Sequence, residues 1–147
     1  MKVSSSRVAA RWLAAMACGD CYRWASKAGL AAFGDDRLVV IHAEVRPEWG
    51  LTADGQVYEN RKRFGHAWVE ENGKVMDWQT EQGMAVGPDG TPWPKGKPWP
   101  KQLYYETMRP RDIQTYTAKQ AALMPVRAHN YGPWTPAERR KHSDLFE

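Results

Sequence analysis

An α+β fold, with helices first and a small antiparallel sheet after them, is what three features of the sequence predict. Apolar residues recur at helical spacing near the start, a β-branched run follows at 38–45, and Asn72-Gly73 separates two short apolar segments. Ser4 to Ser6 offer N-caps ahead of Val8, Ala9, Trp12, Leu13 and Met16, so a first helix is expected to end near Cys18-Gly19. Asp20 then reads as the cap of a helix beginning at Cys21, with Trp24, Ala25 and Ala28 on one face and Gly29 as its stop.

Leu38-Val39-Val40-Ile41 is continuously apolar, the pattern of a strand covered on both faces, and it continues to Val45 before Pro47. Residues 48–63 are polar and read as a loop. Phe64–Glu70 and Val75–Gln79 flank Asn72-Gly73 and read as a hairpin. Residues 81–102 are rich in Gly, Pro, Lys and Trp, with Pro-Trp-Pro-Lys at 92–95 and again at 98–101, and suggest a long ordered surface loop. Leu103–Glu106 reads as one more strand. Thr117 with Gln120 and Thr135 with Glu138 form capping boxes that open short helices, the second with Pro136 at its first position. The strongly charged end, about 135–147, reads as a helical tail that is solvated or docks a partner.

The 147 residues fit a single domain over 1–147, large enough for a core without staples. The formal charge is +4, with Lys and Arg scattered rather than gathered in a stripe, which argues against nucleic-acid binding. No apolar run approaches the roughly 18–20 residues of a membrane span. Ala15-Met16-Ala17-Cys18 faintly resembles a lipoprotein cleavage site, but the apolar stretch before it is shorter than a secretory core of about 7–15 residues. The segment reads as a mature helix, and the protein is expected to be cytoplasmic at synthesis, with its final destination left open. Two cysteines, Cys18 and Cys21, make no disulfide framework.

The chemistry lies in Cys21, His66 and Asp77. If Asn72-Gly73 is a two-residue turn, Glu71 pairs with Lys74, Trp68 faces Asp77 and His66 faces Gln79. His66, Trp68, Glu70, Val75, Asp77 and Gln79 then share one face, and Asp77 lies diagonal to His66, roughly 7–8 Å away and within side-chain reach. Cys21, in the first turn of a helix capped by Asp20, would have its thiolate favoured by free N–H groups and the helix dipole. Its backbone N–H is an oxyanion donor candidate, and Gln79 is a candidate for a second. Trp68 is expected to wall the pocket, and His42, alternating with Glu44 along its strand, to line the same cleft.

These residues resemble the transglutaminase-like branch of papain-fold cysteine peptidases. Gly19-Asp20-Cys21 with Ala25 resembles that group's G-x-C-x-x-x-A helix start, and His66-Ala67-Trp68-Val69-Glu70 its H-A-W-x-E strand. Asp77 followed by Thr80 resembles its D-x-T element with one extra residue. The resemblance covers roughly 15–80 and implies a papain-like core, a nucleophile-bearing helix packed on a small antiparallel sheet. It implies Cys21 as nucleophile, His66 as general base and acid, and Asp77 as the orienting group. The activity implied is a cysteine peptidase, amidase or protein cross-linking acyltransferase, with no cofactor and no metal, acting on a peptide, protein or peptidoglycan-like amide.

Plainer alternatives stand beside this. Cys21 also fits a small buried residue, His66 and His42 satisfied strand histidines, and Asp77 a strand end. Cys18-Gly19-Asp20-Cys21 is a C-x-x-C pair, but the βαβ context of a redox site is missing. A zinc site from Cys18, Cys21, His42 and His66 would have irregular spacing. A non-catalytic or metal-binding module on the same scaffold is the competing class.

Overall fold

The structure, a computed structural model, describes residues 20–147. The helix expected over 8–18 and the residue Cys18 lie outside the described residues. The described chain opens in a helix over 20–31, α1. Asp20 is itself helical, so it is not the N-cap that the sequence suggested. Gly29 does not stop α1, which runs two residues past it. A methyl group there would sit 3.0 Å from the Ala118 carbonyl oxygen and 3.2 Å from the Ala121 Cβ, so glycine is needed for close approach of a neighbouring helix.

Seven strands and four further α-helices follow. They are β1 (Leu38–Val45), β2 (Trp49–Leu51), β3 (Val57–Glu59), β4 (Phe64–Glu71), β5 (Lys74–Met76), α2 (Trp78–Glu81), β6 (Trp99–Pro100), α3 (Lys101–Met108), β7 (Arg111–Thr117), α4 (Ala118–Ala128) and α5 (Pro136–Lys141), with a 3₁₀ turn at Ser143–Phe146. Five strands form an antiparallel sheet in the order β6-β5-β4-β1-β7, and β2 pairs with β3 in a separate hairpin inside the stretch expected to be loop. The α+β class and the small antiparallel sheet are as expected.

β1 lies between β4 and β7 with both of its faces covered, which is why its run is apolar on both faces. On one face Val40, Ala67, Val69 and Tyr116 pack with Cys21, Tyr22 and Ala25 of α1, Ala121 and Met124 of α4, and Trp134. On the other, Ile41, Ala43, Val45, Trp68 and Val75 pack with Ala85, Trp99, Tyr104 and Met108. Helices and the 82–100 segment therefore cover the sheet on both sides.

The Asn72-Gly73 hairpin forms in the expected register, Glu71↔Lys74, Glu70↔Val75 and Val69↔Met76. Both turn residues have positive φ, 52° and 74°, as a two-residue turn of this hand requires. The ladder stops there. Asp77 does not extend the strand; its side chain accepts the Thr80 N–H and caps α2, so Trp78 and Gln79 are helical instead of paired. Leu103–Glu106 also departs from expectation, because these residues belong to α3. Tyr104, Thr107 and Met108 are its buried residues, a helical spacing that outweighs the β-propensity of the two tyrosines. Both capping boxes are present, at Thr117/Gln120 and at Thr135/Glu138 with Pro136 behind it.

Candidate active site

β4 and β5 part company after Val69↔Met76, and the site is built where they do. His66 lies on β4 beyond the last β5 pair, so that edge carries no β5 neighbour. α1 brings Cys21 to it: the Cys21 Sγ lies 3.2 Å from His66 Nδ1, although the cysteine otherwise packs with Ala67 and Val69 of the opposite face. On the far side of the ring His66 Nε2 lies 3.0 Å from Asp77 Oδ2. Cys21, His66 and Asp77 thus form one unbroken line. All three are buried, with 1 %, 0 % and 2 % of their surface exposed.

Asp77 is held by both oxygens. Oδ1 accepts the Thr80 N–H at 2.7 Å, and the Tyr104 hydroxyl donates to Oδ2 at 2.6 Å. The Tyr104 oxygen is also 3.0 Å from His66 Nε2. Nothing in the sequence pointed to Tyr104, since a strand at 103–106 has no reason to meet the hairpin; the helical phase of α3 aims it there. Thr80 in turn accepts the Trp99 indole N–H through its hydroxyl at 2.9 Å.

The electrostatics follow from this packing. Burial alone would suppress the imidazolium, but the Coulombic influence of the Cys21 sulfur and the Asp77 hydrogen bond outweigh it and raise the His66 pKa to about 10. Burial pushes the Asp77 carboxyl up, yet its bonds from His66, Thr80 and Tyr104 leave it lowered. Burial and the neighbouring Asp77 charge push Tyr104 well above the usual phenol range, so it stays a neutral donor. The arrangement can hold a thiolate beside an imidazolium that is anchored from behind by a carboxylate.

Three other residues expected at the site are placed differently. Trp68 shares the His66 face but is fully buried, 5.8 Å from the imidazole in a tilted contact, so it backs the ring and does not wall an open pocket. Its indole N–H donates to Glu70 Oε2 at 2.9 Å, a carboxylate that also takes the Tyr105 hydroxyl and lies 3.1 Å from Lys101 Nζ. Gln79 is carried into α2 by the Asp77 cap, and its side chain makes no hydrogen bond among the described residues. His42 pairs with Ala67, which puts it on the face opposite His66. There it packs among Tyr22, Tyr116 and Trp134, with centroids at 4.7–4.9 Å and neither ring nitrogen hydrogen-bonded among the described residues. Burial, with the Arg139 charge adding to it, lowers its pKa to about 3.

A groove of about 240 Å³ runs between α1 and α2, lined by Asp20, Arg23, Trp24, Lys27 and Trp78. Each wall carries a residue of the line next door, Cys21 beside Asp20 and Asp77 beside Trp78. Trp24 ties the walls together, its indole N–H donating to Glu81 Oε2 at 2.8 Å. The Pro-Trp-Pro-Lys repeat does not open onto this groove. Its two tryptophans stack on each other at 3.9 Å, and Trp99 meets Tyr104 edge-on at 5.4 Å. No helix among the described residues is long and apolar enough to cross a membrane. Comparison with protein-family models, curated proteins and solved structures finds no match to this chain.

Proposed function

We propose that the chain is a thiol-dependent hydrolase or acyltransferase that cleaves or exchanges an amide bond, built on a papain-like core of the transglutaminase-like kind. One observation carries the reading: Cys21 Sγ, the His66 ring and the Asp77 carboxylate stand in line at 3.2 and 3.0 Å. The motifs around them, G-x-C-x-x-x-A and H-A-W-x-E, support it. The Cys21 thiolate attacks the carbonyl carbon, and the His66 imidazolium gives its Nδ1 proton to the departing amine as the C–N bond breaks. The resulting thioester is resolved by water or an amine, deprotonated at the same nitrogen, and the thiolate returns. The substrate is an amide of a peptide, a protein or a peptidoglycan-like polymer, entering along the α1–α2 groove.

The test is alkylation by iodoacetamide across pH, with modification mapped to Cys21 by peptide mass. An ordinary thiol titrates near about 8.5, so the reading requires fast modification two or more pH units below that. The near-complete burial of the sulfur favours a second reading, a non-catalytic scaffold that keeps the trio as packing. That reading requires Cys21 to stay inert until the chain unfolds.

A further inference from the structure

Tyr104 stands where no part of the proposed chemistry uses it. Its hydroxyl lies behind the imidazole, at Nε2, while the sulfur lies in front, at Nδ1. It therefore cannot touch a carbonyl held at Cys21. Fully buried, it contacts Asp77 Oδ2 at 2.6 Å and His66 Nε2 at 3.0 Å, closing a triangle with the 3.0 Å contact between those two.

A phenol has one proton to give and lone pairs to receive. The shorter contact is to the carboxylate, which has no proton of its own, so the O–H goes to Asp77 Oδ2. The Tyr104 oxygen is then free to accept, and among the described residues the donor facing it is His66 Nε2–H. Two consequences follow. The Nε2 nitrogen must carry hydrogen, which fixes the tautomer and leaves Nδ1 as the nitrogen that exchanges a proton with sulfur. The Nε2–H has acceptors on two sides, so the ring plane is pinned by two groups from different elements, α2's cap and α3.

We propose that Tyr104 is a positioning residue of the site, one that holds Asp77 as a carboxylate and the His66 ring in the orientation that faces Cys21. This rests on the thiol-enzyme reading of the same residues. A fourth member is needed because Asp77 is dry: a carboxylate with 2 % exposure and a single donor on Oδ2 would take the shared proton from the imidazole more readily. Losing the phenol therefore moves the proton toward Asp77, leaves His66 neutral more of the time, and weakens its support of the thiolate. The ring of Tyr104 is held independently, by Trp68 at 5.3 Å and Trp99 at 5.4 Å, so removing the oxygen alone leaves the packing in place.

The experiment is the pH profile of Cys21 alkylation by iodoacetamide in the full chain, for the parent, Tyr104→Phe and Tyr105→Phe, with thermal unfolding of each. Tyr104→Phe is expected to slow alkylation at pH 5.5 about tenfold, the size of one hydrogen bond to a charged group, and to move the profile toward alkaline pH. Tyr105→Phe removes the neighbouring phenol from Glu70 and is expected to leave the profile unchanged. An unmoved profile in a folded Tyr104→Phe overturns the positioning role, even if the melting temperature falls, since a packing role alone lowers stability only. If the parent itself does not react at pH 5.5, the thiol-enzyme reading fails first. Should Tyr104→Phe not fold, nuclear magnetic resonance of the His66 ring protons in the parent decides. An Nε2 proton protected from exchange upholds the role, and a ring protonated at Nδ1 alone overturns it.

Discussion

Asp77 divides its carboxylate between two tasks, and Thr80 sets the division: the Thr80 N–H holds Oδ1 at 2.7 Å and leaves Oδ2 to face His66. The side chain that orients the imidazole is thus also the one that ends β5 and starts α2. Replacing it tests the two tasks separately. Asp77→Asn keeps a carbonyl oxygen for the Thr80 N–H but turns an NH₂ toward Nε2, which then must accept. His66 is forced into the other tautomer, with hydrogen on Nδ1 facing the sulfur. Alkylation of Cys21 at pH 5.5 should fall at least tenfold, with melting close to the parent. Asp77→Ala should lose reactivity too, and in addition about 1 kcal/mol or more of stability for the missing cap. Equal melting temperatures for the two variants would separate the cap from the site and sink this account.

The central pairing was legible in the sequence because it depends on local chemistry. Asn72-Gly73 dictates its turn, the turn dictates the register, and the register puts His66 and Asp77 near each other. The contact was reached by a different route, since the pattern continued the strand through Gln79 where Asp77 caps a helix. Gln79 left the site for that reason. β7 carries no apolar alternation, because only Tyr116 of its seven residues is buried, and so it gave no strand signal. Tyr104 was hidden by the propensity of its neighbours, and His42 by parity: two residues from Glu44, it shares the wrong face. Each miss is a tertiary choice that a window of sequence does not contain.

His42 is the residue most exposed to acid. With its pKa lowered to about 3, it is neutral in the fold, whereas in the unfolded chain it titrates near 6.5. The unfolded state therefore binds the proton first. Above about pH 6.5 the group costs nothing. As pH falls below that toward 3, stability is lost by up to about 1.4 kcal/mol per pH unit. Replacing it with an apolar side chain of similar size, His42→Leu, should flatten this part of the profile. At pH 4.5 the parent should have lost about 2–3 kcal/mol more than the variant, relative to each at pH 7. Urea unfolding at the two pH values measures the difference, and parallel losses would show that His42 finds a partner when charged.

The second Pro-Trp-Pro-Lys tryptophan is predicted to matter to the site from behind. Trp99 holds the Thr80 hydroxyl with its indole N–H and packs its ring against Tyr104, both residues that in turn hold Asp77. Trp93 is stacked on its outer face and is itself partly exposed, with Lys97 Nζ 4.9 Å from its ring centroid. Trp99→Ala should cost about 3–5 kcal/mol, the range for a large buried aromatic, and should slow Cys21 alkylation in whatever fraction stays folded. Trp93→Ala should cost less than half as much and leave alkylation alone. A Trp93 variant that impairs the thiol as strongly as the Trp99 variant would show that the loop as a whole, and not the Trp99 contact, supports the triad.

Gly29 tests the seating of the nucleophile's helix. Alanine in the middle of an exposed helix is favoured over glycine by up to about 1 kcal/mol. Here the added methyl would meet the Ala118 carbonyl oxygen at 3.0 Å and the Ala121 Cβ at 3.2 Å, and both belong to the start of α4. Neither is the far end of a flexible side chain, so α1 and α4 must separate to admit it. Gly29→Ala should therefore lower the melting temperature despite its better propensity, and Gly29→Val should do so further. Because Cys21 rides on α1 eight residues earlier, a tilt of the helix also lengthens the 3.2 Å reach to His66 Nδ1. Slower alkylation at acid pH should accompany the loss of stability in Gly29→Val. A stabilised Gly29→Ala would mean that the two helices give way easily and that their contact does not fix the sulfur.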